Sequence, residues 1–346
     1  MKKEKLQFKN QNLPKGWRKV KLGELTIHKG SVSGPFGSDI KSKYFRPSGV
    51  PIIRGNNLTM NMDKGRYIDE DYIFLDSKRA EELKKAEALP EDIIITARGT
   101  IGQTGIIPKN SKYPRYIISA NQLRFRIDKQ KADPLFVYYQ LSSKNITQQM
   151  KNYSVNVGVP NFNLAAARSL ELLAPEDINE QKRIAEILSA FDDKIDLNNK
   201  IIKTLEQMAQ EIFREWILKN QKSNIKYQKL GELANIKYGH GPAVGKLKKS
   251  GYPVYGANGV IGYFDSYDFA ERQIIIGCRG VVGNVTLTLP QCVVTHNSLV
   301  ITPRNNRKIL FYYLLKNQNL DAVVGGSAQL QITIKDLEQF KLPIID

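Results

Sequence analysis

The sequence predicts an α+β chain in which two similar domains, each a mixed, mostly antiparallel sheet with helices, are separated by one long coiled-coil-type helix. Three observations predict it: an apolar heptad with a single polar position runs through the middle of the chain, and the same short motifs occur in the same order before and after it. Each copy is also made of short β-branched runs punctuated by Gly, Pro and Asn. The predicted division is 1–174 for the first domain, 175–220 for the helix and 221–346 for the second domain.

The central stretch, Pro175 to Asn220, holds no Gly and no further Pro. Ile184, Leu188, Phe191, Ile195, Ile202, Leu205, Ala209, Ile212 and Trp216 recur at alternating steps of four and three, with Asn198 in the one polar position. Ile187, Ile201 and Met208 lie beside this seam and widen it. Asp177 with Glu180 reads as a capping box, and Arg214 and Lys219 near the far end suit the helix dipole. At 1.5 Å per residue the seam is roughly 48 Å long. A seam of that length needs a cover. Ile184, Leu188, Phe191, Ile195, Asn198, Ile202, Leu205, Ile212 and Trp216 are therefore the expected subunit interface, and Asn198 would fix its register.

The repeat is read from paired lines. Lys19-Val-Lys-Leu-Gly-Glu-Leu25 matches Tyr227-Gln-Lys-Leu-Gly-Glu-Leu233, and Gly49-Val-Pro-Ile-Ile-Arg-Gly-Asn56 matches Gly251-Tyr-Pro-Val-Tyr-Gly-Ala-Asn258. Asp92-Ile-Ile-Ile-Thr-Ala-Arg-Gly-Thr-Ile-Gly102 matches Gln273-Ile-Ile-Ile-Gly-Cys-Arg-Gly-Val-Val-Gly283. Ser119-Ala-Asn-Gln-Leu123 matches Thr295-His-Asn-Ser-Leu299. Pro160-Asn-Phe-Asn-Leu164 answers Leu330-Gln-Ile-Thr-Ile334. Ile93–Thr96 and Ile274–Ile276 are expected as buried strands before Gly-rich turns. Asp133–Lys144 and Lys308–Lys316 are expected as helices, and Glu70–Leu89 as a charged, helix-like insert of the first copy only.

Charge suggests a partner. Lys and Arg number 52 against 34 Asp and Glu, a formal net charge of +18. Residues 1–175 hold 30 basic and 16 acidic side chains, a net of +14, and residues 223–346 hold 14 and 8, a net of +6. The helix between them is close to neutral. Two basic domains flanking a neutral rod favour a polyanion, most simply nucleic acid. Two cysteines make no disulfide framework or zinc spacing, and no apolar run reaches membrane-spanning length.

Catalytic patterns are missing. Gly241-Pro-Ala-Val-Gly-Lys246 lacks the first Gly and the final Ser/Thr of a phosphate-binding loop, and Gly99–Gly105 reads better as a turn. His28, His240 and His296 share no ligand spacing, and there is no Asn/Asp-Pro-Pro-aromatic tetrapeptide of an amino-methyltransferase. The chain is expected to bind and not to catalyse. Its candidate contacts are polar and basic residues on turns that follow strands: Arg54, Asn56, Arg98, Thr100, Gln103 and Asn121, with Asn258, Arg279 and Asn297 in the second copy. Arg suits guanine edges and Asn adenine edges, and Gly lets the backbone approach a duplex. Arg98 and Arg279, shared by both copies, suit a turn anchor as well as a DNA contact. Lys41, Lys43, Arg46, Lys246 and Lys248, in loops that do not match, suit phosphates or simple solvation.

Leu13-Pro-Lys-Gly-Trp17, Gly34-Pro-Phe-Gly-Ser38, Gly49–Asn56, Thr96-Ala-Arg-Gly-Thr-Ile-Gly102 and Glu180-Gln-Lys-Arg-Ile-Ala-Glu-Ile-Leu188 together resemble the specificity (S) subunit of type I restriction–modification systems. The resemblance implies two target recognition domains, each reading one half of a split sequence in double-stranded DNA. It implies a central helix that spaces them and docks methyltransferase (M) subunits, with restriction (R) subunits added, in a prokaryotic cytoplasm. S-adenosylmethionine, ATP and Mg are then expected on those partners and no cofactor in this chain. Such subunits usually carry a second long helix after the second domain, antiparallel to the first. Here the sequence ends at Leu342-Pro-Ile-Ile-Asp346, where the first copy begins its helix. A second copy of the chain, paired through the central helix, is the further expected partner.

Overall fold

The computed structural model describes residues 13–60, 65–153, 162–218, 226–305, 307–326 and 329–343, and of residues 216–218 the backbone alone. Pro160 and Asn161, the helix end expected at Lys219–Asn220, and the side chain of Trp216 lie outside the described residues. The chain divides into two units, Met1–Ile202 and Lys203–Asp346. No helix among the described residues is long and apolar enough to cross a membrane.

The first unit holds eleven strands among its described residues: β1 (Trp17–Lys21), β2 (Thr26–Ser33), β3 (Phe45–Arg46), β4 (Val50–Ile53), β5 (Ile73–Leu75), β6 (Glu87–Ala88), β7 (Ile93–Thr96), β8 (Thr104–Ile106), β9 (Tyr116–Ile118), β10 (Gln122–Ile127) and β11 (Glu171–Pro175). An antiparallel sheet has the order β2-β10-β7-β8, and a mixed sheet the order β3-β5-β4-β9-β6, with β4 and β9 parallel. β1 and β11 form an antiparallel pair that brings the two ends of the domain together.

In the second unit the strands are β12 (Tyr227–Lys229), β13 (Ala234–Tyr238), β14 (Tyr252–Gly256), β15 (Gly259–Phe264), β16 (Ile274–Gly277), β17 (Val285–Leu287), β18 (Val293–Val294), β19 (Ser298–Pro303) and β20 (Lys341–Pro343). The orders β13-β19-β16-β17 and β12-β20 repeat those of the first unit, and β15-β14-β18 repeats the inner β5-β4-β9 of its five-stranded sheet without counterparts of β3 and β6; β14 pairs parallel with β18 as β4 does with β9. The repeat read from motifs is thus a repeat of topology.

The Ile-Ile-Ile runs show why these strands sit at the centre. Alternate residues of a strand point to opposite faces. Ile93 and Ile95 enter one core with Phe125, Phe136 and Phe162, while Ile94 enters the other with Ile52, Ile117 and Tyr116. Likewise Ile274 and Ile276 face one core and Ile275 the other. Each such side chain contributes about 1.5–3 kcal/mol of apolar burial. A polar residue in any of the three positions would face an apolar layer, so no alternating pattern survives in the sequence.

The helices are α1 (Ser77–Glu82), α2 (Pro134–Ser142), α3 (Lys144–Tyr153), α4 (Leu164–Arg168), α5 (Ile178–Ile212), α6 (Leu230–Leu233), α7 (Lys308–Lys316) and α8 (Ile334–Gln339). Asp133 caps α2 by accepting from the Phe136 N–H at 2.8 Å, with Pro134 at the first position, where its missing N–H costs nothing. The Asp133–Lys144 expectation covers α2 and the first residue of a separate helix, α3. The Glu70–Leu89 insert is not wholly helical. β5, the short α1 and β6 share it; β5 bonds to both β3 and β4 as an inner strand of the mixed sheet, and β6 bonds to β9 at its edge.

The central helix begins three residues after Pro175, which still belongs to β11. It is α-helical to Ile212 and then π-helical over Phe213–Leu218. Asp177 accepts from the Asn179 N–H at 2.9 Å. Gln181, and not Glu180 as in the expected capping box, ties the first turn back: its Nε2 donates to Pro175 O at 2.7 Å and its Oε1 accepts from the Asp133 N–H at 3.0 Å. Gln181, Ala185 and Asp192 are the buried residues of α5. They form a strip directly beside the apolar seam, with Gln181 one heptad before Leu188 and Ala185 and Asp192 next to Ile184 and Phe191. The seam starts half-buried at Ile184 and is exposed at Leu188, Phe191, Ile195, Asn198, Ile202, Leu205 and Ile212, as are the flanking Ile187, Ile201 and Met208.

Candidate nucleic-acid interface

In each unit three turns converge where strands leave the two sheets. In the first unit, the backbone N–H groups of Ala97 and Arg98 both donate to Asn121 O, at 2.7 and 3.4 Å. In the second, those of Cys278 and Arg279 both donate to Asn297 O, at 2.9 and 3.3 Å. Ser119 N–H donates to Ile53 O at 3.0 Å, and Thr295 N–H to Tyr255 O at 2.9 Å. These bonds join the turn after β7 or β16, the turn before β10 or β19, and the end of β4 or β14. A further strap closes each cluster: Phe162 N–H to Ala97 O at 2.8 Å, and Ile332 N–H to Cys278 O at 3.1 Å.

The third corner is held by side chains. Thr96 donates its hydroxyl to Gln103 Oε1 at 3.2 Å, and a Cβ on Gly55 would stand 3.2 Å from that same oxygen. Asn284, in the corresponding place, donates to Ala257 O and Asn258 Oδ1, both at 3.4 Å. Gln103 and Asn284 thus both bring the turn after the central strand against the turn that carries Asn56 or Asn258.

Glycine makes the turns possible. Gly99 and Gly102 have φ of 92° and 103°, and Gly280 and Gly283 have φ of 80° and 81°. Residues with a Cβ avoid this left-handed region. No atom lies within 4 Å of a Cβ built on Gly99 or Gly280, so backbone conformation and not crowding selects glycine there.

Sequence-selected residues are thereby gathered on one rim per unit. Asn56, Arg98, Thr100 and Asn121 are exposed and Gln103 half-buried; Asn258 and Arg279 are exposed and Asn297 half-buried. Arg54 has a different setting: half-buried, its guanidinium donates to Asp71 O at 2.8 Å and its backbone N–H to Asn57 Oδ1 at 3.0 Å. Among the basic loop residues, Arg46 pairs with Asp76 at 3.3 Å and Lys248 pairs with Asp265. Lys43 Nζ stands 4.8 Å from the Tyr44 ring centroid, and Lys41 and Lys246 are exposed. Asn284 is not among the residues that the sequence selects; its offset of 181 residues from Gln103, the same as that between Arg98 and Arg279, is the signal that points to it.

Preformed polar turns on a rigid, basic scaffold can present hydrogen-bonding side chains to base edges and cations to phosphates. Comparisons with known proteins agree with this arrangement. The family model for the type I restriction modification DNA specificity domain matches residues 14–207 and again 222–344. A Methanocaldococcus jannaschii protein, assigned provisionally as the type I restriction enzyme MjaX specificity subunit, is 25% identical over 310 residues, which cover 78% of this chain and 72% of that protein. The type I restriction enzyme HindI specificity subunit of Haemophilus influenzae is 28% identical over 144 residues, 39% of this chain and 31% of its own length. The crystal structure of a type I restriction–modification S subunit from M. genitalium shares the fold, with a TM-score of 0.54 at 18% identity over 98% of this chain and 87% of that one. This chain therefore belongs to the type I restriction–modification DNA specificity domain family, whose domain it carries twice.

Proposed function

We propose that this chain is the DNA-reading specificity subunit of a type I restriction–modification complex, with each rim of turns reading one half of a bipartite target. The observation that carries the proposal is the twofold construction of the rim. Two sets of exposed Asn and Arg side chains stand on backbone frames with the same hydrogen bonds, on domains of strongly basic composition. The frame repeats while its loops differ, which suits one scaffold reading two different sequences. Methylation with S-adenosylmethionine, and ATP- and Mg-dependent cleavage, belong in this reading to partner M and R subunits in a prokaryotic cytoplasm, while the chain itself is non-catalytic.

The exposed seam of α5 is in this reading the subunit-docking face, for a methyltransferase subunit or for the same helix of a second copy laid antiparallel. The length of α5 then sets the gap between half-sites. Exchanging residues 1–174 for the first domain of another specificity subunit tests the assignment. The methylated sequence should change in one half only, and an unchanged sequence would remove the proposal.

A further inference from the structure

Phe36 is the most exposed of the large apolar side chains of the described residues, at 82%. Its backbone is nonetheless braced on both sides. Before it, Gly34 donates its N–H to Gln122 O at 2.9 Å and packs so closely on the turn before β10 that a Cβ there would fall 1.8 Å from Ser119 O. After it, Asp39 N–H donates to Phe36 O at 2.8 Å, and Arg79 of α1 donates from Nε to Asp39 O at 3.0 Å. The Arg79 guanidinium also lies 4.8 Å from the Tyr44 ring centroid, which ties down the basic loop that follows. A phenyl ring held out in water on a fixed loop adds nothing to the chain's own core.

We infer that Phe36 is a DNA-contacting side chain of the first domain, which places an apolar ring against a base of the half-site read by the Arg98–Asn121 rim. The inference rests on the DNA-reading role proposed above and adds a residue class to it. Gly34 seats the loop directly on the Ser119–Asn121 turn, so the loop that carries the ring is continuous with that rim, and Lys41 and Lys43 follow five and seven residues after Phe36. An apolar ring beside cations and amide side chains fits a duplex, where a Phe can meet a thymine methyl or wedge against a base step. In the second domain no aromatic ring stands at this place, and the exposed apolar side chain of the corresponding loop is Val244, at 72%. Gly239 makes the same bond as Gly34, to Ser298 O at 3.0 Å, so Gly241 stands in the place of Phe36, and its N–H turns in to Val294 O at 2.9 Å. The contact therefore belongs to one half-site only.

The full-length chain, as wild type, Phe36→Ala and Phe36→Trp, would be offered a random-sequence duplex library, and the affinity of each for the wild-type motif measured against salt. Phe36→Ala should lose its preference at one or two positions in one half of the motif and bind that motif roughly ten-fold more weakly. The slope against salt should not change, since every phosphate stays bound as before. Phe36→Trp should keep the preference, and thermal unfolding should be the same for all three. An identical motif and affinity for Phe36→Ala would overturn the inference while leaving the DNA-reading role standing. So would unchanged DNA binding with loss of a co-purified methyltransferase subunit, which would make the ring a protein contact. A wild-type chain that selects no duplex sequence would remove the DNA-reading role itself.

Discussion

The Tyr139 hydroxyl on α2 donates to the Asp192 carboxylate on α5 at 2.6 Å, a buried bond that fastens the central helix to the first domain. In the second unit Tyr312 and Tyr313 of α7 both donate to Glu206 of the same helix, at 3.3 Å each, and Phe213 stacks on Tyr313. Each domain thus grips its part of α5 through tyrosines and one carboxylate, on a strip beside the apolar heptad, whose first residue, Ile184, also packs on the core of the first domain.

Asp192→Ala should destabilise the first unit by about 1–3 kcal/mol, because it leaves the Tyr139 hydroxyl buried without an acceptor. Burial raises the Asp192 carboxyl above the ordinary carboxylate range, against the opposing pull of Tyr139 and Arg66. A raised native value means that the folded chain holds this proton more tightly than the unfolded chain. The contribution of Asp192 to stability therefore falls as pH rises from the ordinary carboxylate range through its native value. Asp192→Asn, which keeps an acceptor for Tyr139, should flatten that part of the profile. Thermal unfolding followed against pH checks both variants.

Gly34→Ala and Gly239→Ala should each lower stability by about 1–3 kcal/mol or more, since the new methyl would meet Ser119 O or Val294 O well inside contact distance. Gly37→Ala, which meets no atom within 4 Å, is the matched control and should be close to neutral. Denaturant midpoints distinguish the three.

Arg98→Ala and Arg279→Ala should each weaken binding to the cognate duplex by about 1–3 kcal/mol, and each should relax preference in a different half of the target. Lys41→Ala and Lys43→Ala should instead weaken binding to all duplexes alike and reduce the salt slope by about 1 for each phosphate no longer neutralised. Titrations at several salt concentrations separate the two classes.

Leu188→Lys with Leu205→Lys should leave the unfolding temperature of the chain almost unchanged, because both side chains are already exposed. The same pair should abolish assembly through α5, whether with a methyltransferase subunit or with a second copy. Sedimentation of the chain alone and with that subunit reads the effect. Undiminished assembly would show that the seam is not the docking face.

The repeat and the seam are legible in the sequence for physical reasons. Strands between two cores must be apolar on both faces, so Ile93-Ile94-Ile95 and Ile274-Ile275-Ile276 stand out as runs, and turns with left-handed backbone favour Gly at Gly99 and Gly280. The face of α5 that packs on its own domains is not legible. Gln181, Ala185 and Asp192 carry no apolar signal, and their burial depends on Asp133 and Tyr139, roughly 50 residues away in sequence. β5 is hidden because three residues within a charged stretch make no readable period. The exposure of Phe36 is not legible either, because a single aromatic in a Gly-rich motif has no period, and tertiary packing alone leaves it exposed.

The most direct measurement is methylome sequencing of cells that express this chain with type I methyltransferase subunits. The account predicts one new methylated motif, made of two short specified halves separated by a gap of unspecified bases whose length changes when residues are inserted in α5. A continuous motif, or no new methylation, would contradict it.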